Sequence, residues 1–187
     1  MKKYFSILVA LLMATTMNLQ AAERGKFIHV DVSNAKNLKP QLAFCSELKN
    51  GEDVTTLLLQ TVDVNGYKEF TDDSRLLIRF TDGEMTRLQR VPGSAIQKRK
   101  YSKKSGTATI SYYESVTQYE VTPEVIDKLK DNIYITKVRV VFQANEHKDY
   151  DIVESYQAKM AEDLLKSYLE ATQKNRQTHT DTSDEDF

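Results

Sequence analysis

Apolar and polar positions alternate at period two through residues 26–32. Ile28, Val30 and Val32 share one side there, which predicts a half-buried strand. Leu38, Leu42, Cys45 and Leu48 then recur at helical spacing. Pro40 fits such a helix only in its first turn, and Asn50-Gly51 supplies a stop. Residues 54–62 are apolar and β-branched, so they read as a second strand. Strand, helix and strand in that order predict one right-handed crossover unit. Asp63-Val64-Asn65-Gly66 follows and reads as a hairpin turn.

Two alternating runs, residues 75–81 and 84–91, flank Asp82-Gly83, a dipeptide suited to a tight hairpin loop. Pro92-Gly93-Ser94 ends the second arm. Residues 97–104 are strongly basic and predict an exposed loop or hairpin end. Residues 107–121, rich in Thr, Tyr, Ile and Val, read as strand. Thr122, Pro123 and Glu124 then supply a cap, a first-turn proline and an early acid for a short helix. Residues 133–142 form a strongly apolar strand, residues 146–149 a turn, and residues 150–153 a short return strand.

From Glu154 to Thr172 the period returns to that of a helix. Val153, Tyr156, Met160, Leu164, Leu165, Tyr168 and Leu169 make its apolar face, and Lys159, Glu162, Lys166 and Glu170 lie opposite. The composition turns polar from Gln173, and four acids stand among the last seven residues. The expected organisation is one α+β domain over residues 23–172, followed by a disordered acidic tail over residues 173–187. Its fold is a mainly antiparallel sheet of about six strands, covered on one face by the long C-terminal helix.

Residues 1–22 stand apart from this pattern. Lys2 and Lys3 precede an apolar run from Phe5 to Met13, and Ala21 and Ala22 offer a small-residue cleavage site. This is the arrangement of a secretory signal peptide. The run is too short for the ~20 residues that span a bilayer, and no later stretch is long enough. The expected location is therefore export, to the periplasm or the cell surface. Removing the two lysines takes the net charge from −1 to −3. That balance gives no pull toward nucleic acid.

With 40% hydrophobic and 28% charged residues and one Cys, the chain is neither disulfide-rich nor wholly disordered. Cys45 has no partner for an internal bridge. It reads as a small buried hydrophobe, or as a thiol that would need His29, His147 or His179 beside it. Ser46 and Lys49 match S-x-x-K without the companion elements of that chemistry. His147, Asp149 and Asp151 lie at alternate positions and are a weak candidate metal set on a strand; a polar turn is the simpler reading. No cofactor is implied by any motif.

The strongest binding signal is Lys98, Arg99, Lys100, Tyr101, Lys103 and Lys104, with Tyr113 and its neighbours Tyr112 and Tyr119. Tyrosines among cations suit contact with an anionic glycan, a lipid headgroup or a protein.

Residues 29–70, through NAKNLKPQL and VTTLLLQTVDVNGYKEF, resemble the opening unit of exported leucine-rich-repeat surface proteins of Bacteroides-type bacteria. Residues 75–169, through LLIRFTDGE, YEVTPEVIDKLKDN and ITKVRVVF, resemble small exported proteins of unknown function from the same bacteria. The resemblance implies an envelope location and an α+β domain, and transfers no site residue. The sequence thus favours a non-catalytic binding or interaction domain, with an envelope protein or an anionic glycan as partner. The alternative is a small hydrolase or glycan-processing enzyme whose carboxylate site has no sequence signature.

Overall fold

The computed structural model describes residues 23–30, 40–49, 52–143 and 146–183. In chain order the strands are β1 (Glu23–Arg24), β2 (Ile28–His29), β3 (Gln41–Lys49), β4 (Glu52–Asp63), β5 (Arg75–Phe80) and β6 (Met85–Gln89). Next come β7 (Gln97–Ser105), β8 (Ala108–Glu120), helix α1 (Pro123–Lys130), β9 (Ile135–Gln143), β10 (Glu146–Asp151) and helix α2 (Glu154–Ser183). Every strand pair is antiparallel. The α+β class and the antiparallel pairing match the sequence expectation.

The strands form two sheets rather than one. A six-stranded sheet runs β1-β3-β4-β8-β7, with β2 also on β3, and a four-stranded sheet runs β10-β9-β5-β6. One apolar cluster draws on both. Leu42, Phe44, Leu57, Leu59 and Tyr119 come from the first sheet, and Leu76, Ile78, Phe80, Val138, Val140 and Phe142 from the second. Val125 and Leu129 of α1 and Met160, Leu164 and Ala171 of α2 complete it. A bridge between Arg90 and Tyr119 joins the end of β6 to β8, so the two sheets meet at a corner.

The largest correction concerns residues 41–49, expected as helix and found as β3. Leu42 and Phe44 face the main cluster, while Ala43 and Cys45 join a second buried cluster with Leu58 and Val116. A strand buried on both sides loses its period-two signature, and its apolar residues then mimic helical spacing. With no helix between them, β3 and β4 form an antiparallel pair with Leu42 opposite Leu59 and Phe44 opposite Leu57. The crossover unit is therefore absent. Leu38 and Asn50-Gly51 lie outside the described residues.

The segment at Asp63–Gly66 is a bend between sheets, with the Asn65 N–H donating to Asp63 Oδ1 at 2.9 Å, and not a hairpin turn. The basic segment is a full strand, β7. Residues 146–149 are strand, so the return strand β10 begins four residues earlier than expected. Helix α2 continues to Ser183, through most of the segment expected as a tail. The Asp82-Gly83 hairpin forms as expected, with Gly83 at φ +87°, where L side chains are disfavoured.

Candidate functional site: a cation–tyrosine hairpin

Strand alternation divides the basic segment between two faces. Arg99, Tyr101 and Lys103 stand opposite Glu114, Tyr112 and Ile110 of β8 on one face. Lys98, Lys100 and Lys104 stand opposite Ser115, Tyr113 and Thr109 on the other. The expected site residues are thus brought onto one hairpin, but back to back in two groups.

Each face carries an aromatic pair. Tyr101 and Tyr112 stack with centroids 5.3 Å apart and planes 14° from parallel. Lys103 lies over both rings, at 5.7 and 5.9 Å, and Arg99 lies 5.8 Å from the Tyr101 centroid. On the opposite face Tyr113 meets Tyr67 edge-on at 5.2 Å. Lys100 sits 5.2 Å over Tyr113 and Lys98 5.5 Å over Tyr67. Such exposed contacts contribute roughly 0.5–1 kcal/mol each, enough to orient a long side chain without neutralising it. Among the described residues Lys98 alone of the five cations has a carboxylate partner, Glu69 at 2.9 Å. Burial, with Glu114 and Tyr112 nearby, holds the Tyr101 hydroxyl above its ordinary value against the pull of Arg99, so it stays a hydrogen-bond donor.

β7 ends its sheet's strand order, and charged residues are a common device for keeping such an edge from pairing with another chain. That protective role accounts for the lysines. It does not require the tyrosines beneath them.

Tyr119, grouped with the hairpin by sequence, is fully buried in the main cluster. Its burial raises the phenol pKa well above the ordinary value, and it takes no part in the surface. Sequence reasoning missed Tyr67 and Glu69, which reach the hairpin from the loop after β4. It also missed a hollow of 420 Å3 beside the hairpin, lined by Arg24, Phe27, Gln60, Gln97, Lys98, Arg99, Glu114 and Val116. A smaller hollow of 260 Å3 lies at the start of α1, with Asp53, Asp127, Lys130 and Tyr168 in its wall.

The catalytic and metal candidates are spread differently. His147, Asp149 and Asp151 do share one side of β10, as their spacing predicts. There Asp149 accepts two hydrogen bonds from Arg139, at 2.5 and 2.7 Å, and Asp151 pairs with Lys137 at 3.0 Å. No three His, Cys, Asp or Glu side chains converge among the described residues. His29 pairs in register with Gln41, four positions from Cys45, about 13 Å along a strand. His147 belongs to the other sheet, and the His179 side chain lies outside the described residues. Ser46 of the S-x-x-K match sits on a strand and is buried, not on the helix that chemistry uses. Asp82, Asp149 and Glu162 are held below the usual carboxylate range by hydrogen bonds from Lys128, Arg139 and Lys166. A general acid needs the opposite displacement.

No protein-family model matches this chain, and neither a curated protein nor a solved structure matches it. No described helix is long and apolar enough to cross a membrane.

Proposed function

We propose that the chain is an exported bacterial envelope protein that acts as a non-catalytic binding domain and takes an anionic partner on the β7–β8 hairpin. The observation that carries this reading is the seating of four of five clustered cations on tyrosine rings. Positive charge is presented in fixed places beside flat apolar surface, which suits an acidic polymer better than bulk solvent.

Two features support the rest. The first described strand begins at Glu23, just past the expected cleavage site, so signal removal would leave the described fold whole. Helix α2 covers the six-stranded sheet at its β1–β3 end, where Phe44 N–H donates to Ser167 Oγ at 3.1 Å. β7 lies at the opposite end of that sheet's strand order.

The test is charge reversal at Lys98, Arg99 and Lys100 together, each to Glu, with Lys166→Glu on the exposed face of α2 as control. Retention on an immobilised sulfated polysaccharide falls at least tenfold for the triple variant and stays near wild type for the control. Equal retention by both would end the reading.

A further inference from the structure

β7 is a sheet edge nine residues long. At the far end of the same sheet α2 packs on β1 and β3. In the other sheet β6 has five residues, and β10 has six with its register shifted after Glu146. Short or irregular edges resist pairing with another chain. β7 has neither protection. Its register against β8 is unbroken and it contains no proline. Residues 97–104 are exposed apart from the half-buried Tyr101.

The register also shows which backbone groups the edge offers. In an antiparallel pair every second residue exchanges hydrogen bonds with its partner, and the residues between turn their N–H and C=O the other way. Ser105 and Ala108 flank a two-residue loop and so form the first bonded pair. Counting back, Lys103, Tyr101, Arg99 and Gln97 bond to β8. Lys98, Lys100, Ser102 and Lys104 therefore turn their N–H and C=O to the open edge. Three of these four carry a cation, and their side chains share one face of the strand.

Charge decides what can pair there. Two copies of β7 placed antiparallel about Tyr101 would set Lys98 against Lys104 and Arg99 against Lys103. Like charges directly opposite are destabilising, so the edge rejects a second copy of itself. The same lysines favour a strand with carboxylates at alternate positions, which would meet Lys98, Lys100 and Lys104 one for one. A polysaccharide can answer the charges, but it has no N–H and C=O at the repeat of a strand.

We infer that β7 takes an extended acidic polypeptide as an added strand, bonded through the backbone of Lys98, Lys100, Ser102 and Lys104. The inference rests on the reading of the hairpin as an anion-binding surface and gives it a partner class.

The experiment is titration of the purified protein with three eight-residue peptides: four Thr-Glu repeats, the same peptide N-methylated at every residue, and four Thr-Gln repeats. The first binds, and the other two bind at least tenfold more weakly. On binding, amide exchange at Lys100 and Ser102, read by NMR, slows at least tenfold. Ser102→Pro removes an outward donor and leaves all five cations and the bonds to β8 in place. With melts confirming its fold, it loses at least tenfold in peptide affinity and keeps its retention on sulfated polysaccharide. Equal affinity for the Thr-Glu peptide and its N-methylated form, or unchanged exchange, would overturn strand addition. A protein that holds the polysaccharide but not the peptide would overturn the polypeptide partner and leave the hairpin reading intact. Loss of both in wild type would remove the two together. A dimer of the protein alone, dispersed by Ser102→Pro in sedimentation, would seat a second copy on the edge and overturn the proposal.

Discussion

Gly25 lies so close to Ser167 that a Cβ built at position 25 would stand 2.0 Å from the Ser167 carbonyl oxygen and 2.5 Å from its Oγ. The contact fastens the start of the described fold to α2. Gly25 N–H donates to the Phe44 carbonyl at 2.9 Å, and the next residue, Lys26, donates its N–H to Glu170 at 3.1 Å. No side chain can relieve a clash with backbone. Gly25→Ala is therefore expected to cost about 1–3 kcal/mol, as overpacking does elsewhere. Chemical denaturation checks it, and an unchanged midpoint would mean that β1 does not dock on α2 as described.

Lys128 anchors α1 to the β5–β6 hairpin. Its Nζ lies 2.6 Å from both Asp82 and Glu84, and over the Phe80 ring at 5.4 Å. The lysine's hydrogen bond holds the Asp82 carboxyl below its ordinary value of 3.8. A carboxylate whose folded pKa is depressed stabilises the fold above its unfolded pKa and loses that contribution as pH falls through the folded one. The stability gap between wild type and Asp82→Asn should be widest near pH 7 and close below about pH 4. A gap that stays constant from pH 7 to pH 3 would contradict the clamp.

Arg90 is buried at 5% exposure, yet its ion-pair partner Asp72 is 71% exposed. The guanidinium also donates to Thr117 Oγ1 at 3.2 Å and to the Ser94 carbonyl, fixing the corner between the sheets. Removing the arginine leaves buried acceptors without a donor, whereas removing the acid leaves a cation with other partners. Arg90→Ala should cost about 2–4 kcal/mol and Asp72→Asn less than about 1 kcal/mol. Similar costs for the two would show that the ion pair, rather than the buried network, holds the corner.

Export predicts a processed chain. Protein recovered from the envelope fraction of an expressing bacterium should begin at Ala22 or Glu23 by N-terminal sequencing. A chain still beginning at Met1 would refute the signal-peptide reading.

What the sequence made legible was local. The Asp82-Gly83 hairpin, α1 behind Thr122-Pro123 and most of the apolar face of α2 follow from short-range signals, although Val153, just before the helix, and Leu169 are exposed rather than on the buried face. β3 was misread because Ala43 and Cys45 are as buried as Leu42 and Phe44, so neither face looked polar. The division into two sheets was out of reach because β4 pairs with β8, fifty or more positions away, and not with β5. The site divides in the same way. Its five cations lie within residues 98–104 and are visible in sequence. Tyr67 and Glu69 reach them only through tertiary structure, and nothing in their own neighbourhoods marks them.

The anion affinity of the hairpin is what most directly separates a binding surface from a merely protected sheet edge. The measurement is the dissociation constant of purified protein for a sulfated polysaccharide as sodium chloride is raised from 20 to 300 mM (roughly 20 to 6 Å of screening length). Exposed cations predict affinity that weakens steeply with salt in wild type and a much shallower dependence in the Lys98, Arg99 and Lys100 triple reversal. Binding that ignores salt, or a wild type and triple variant that follow the same curve, would contradict it.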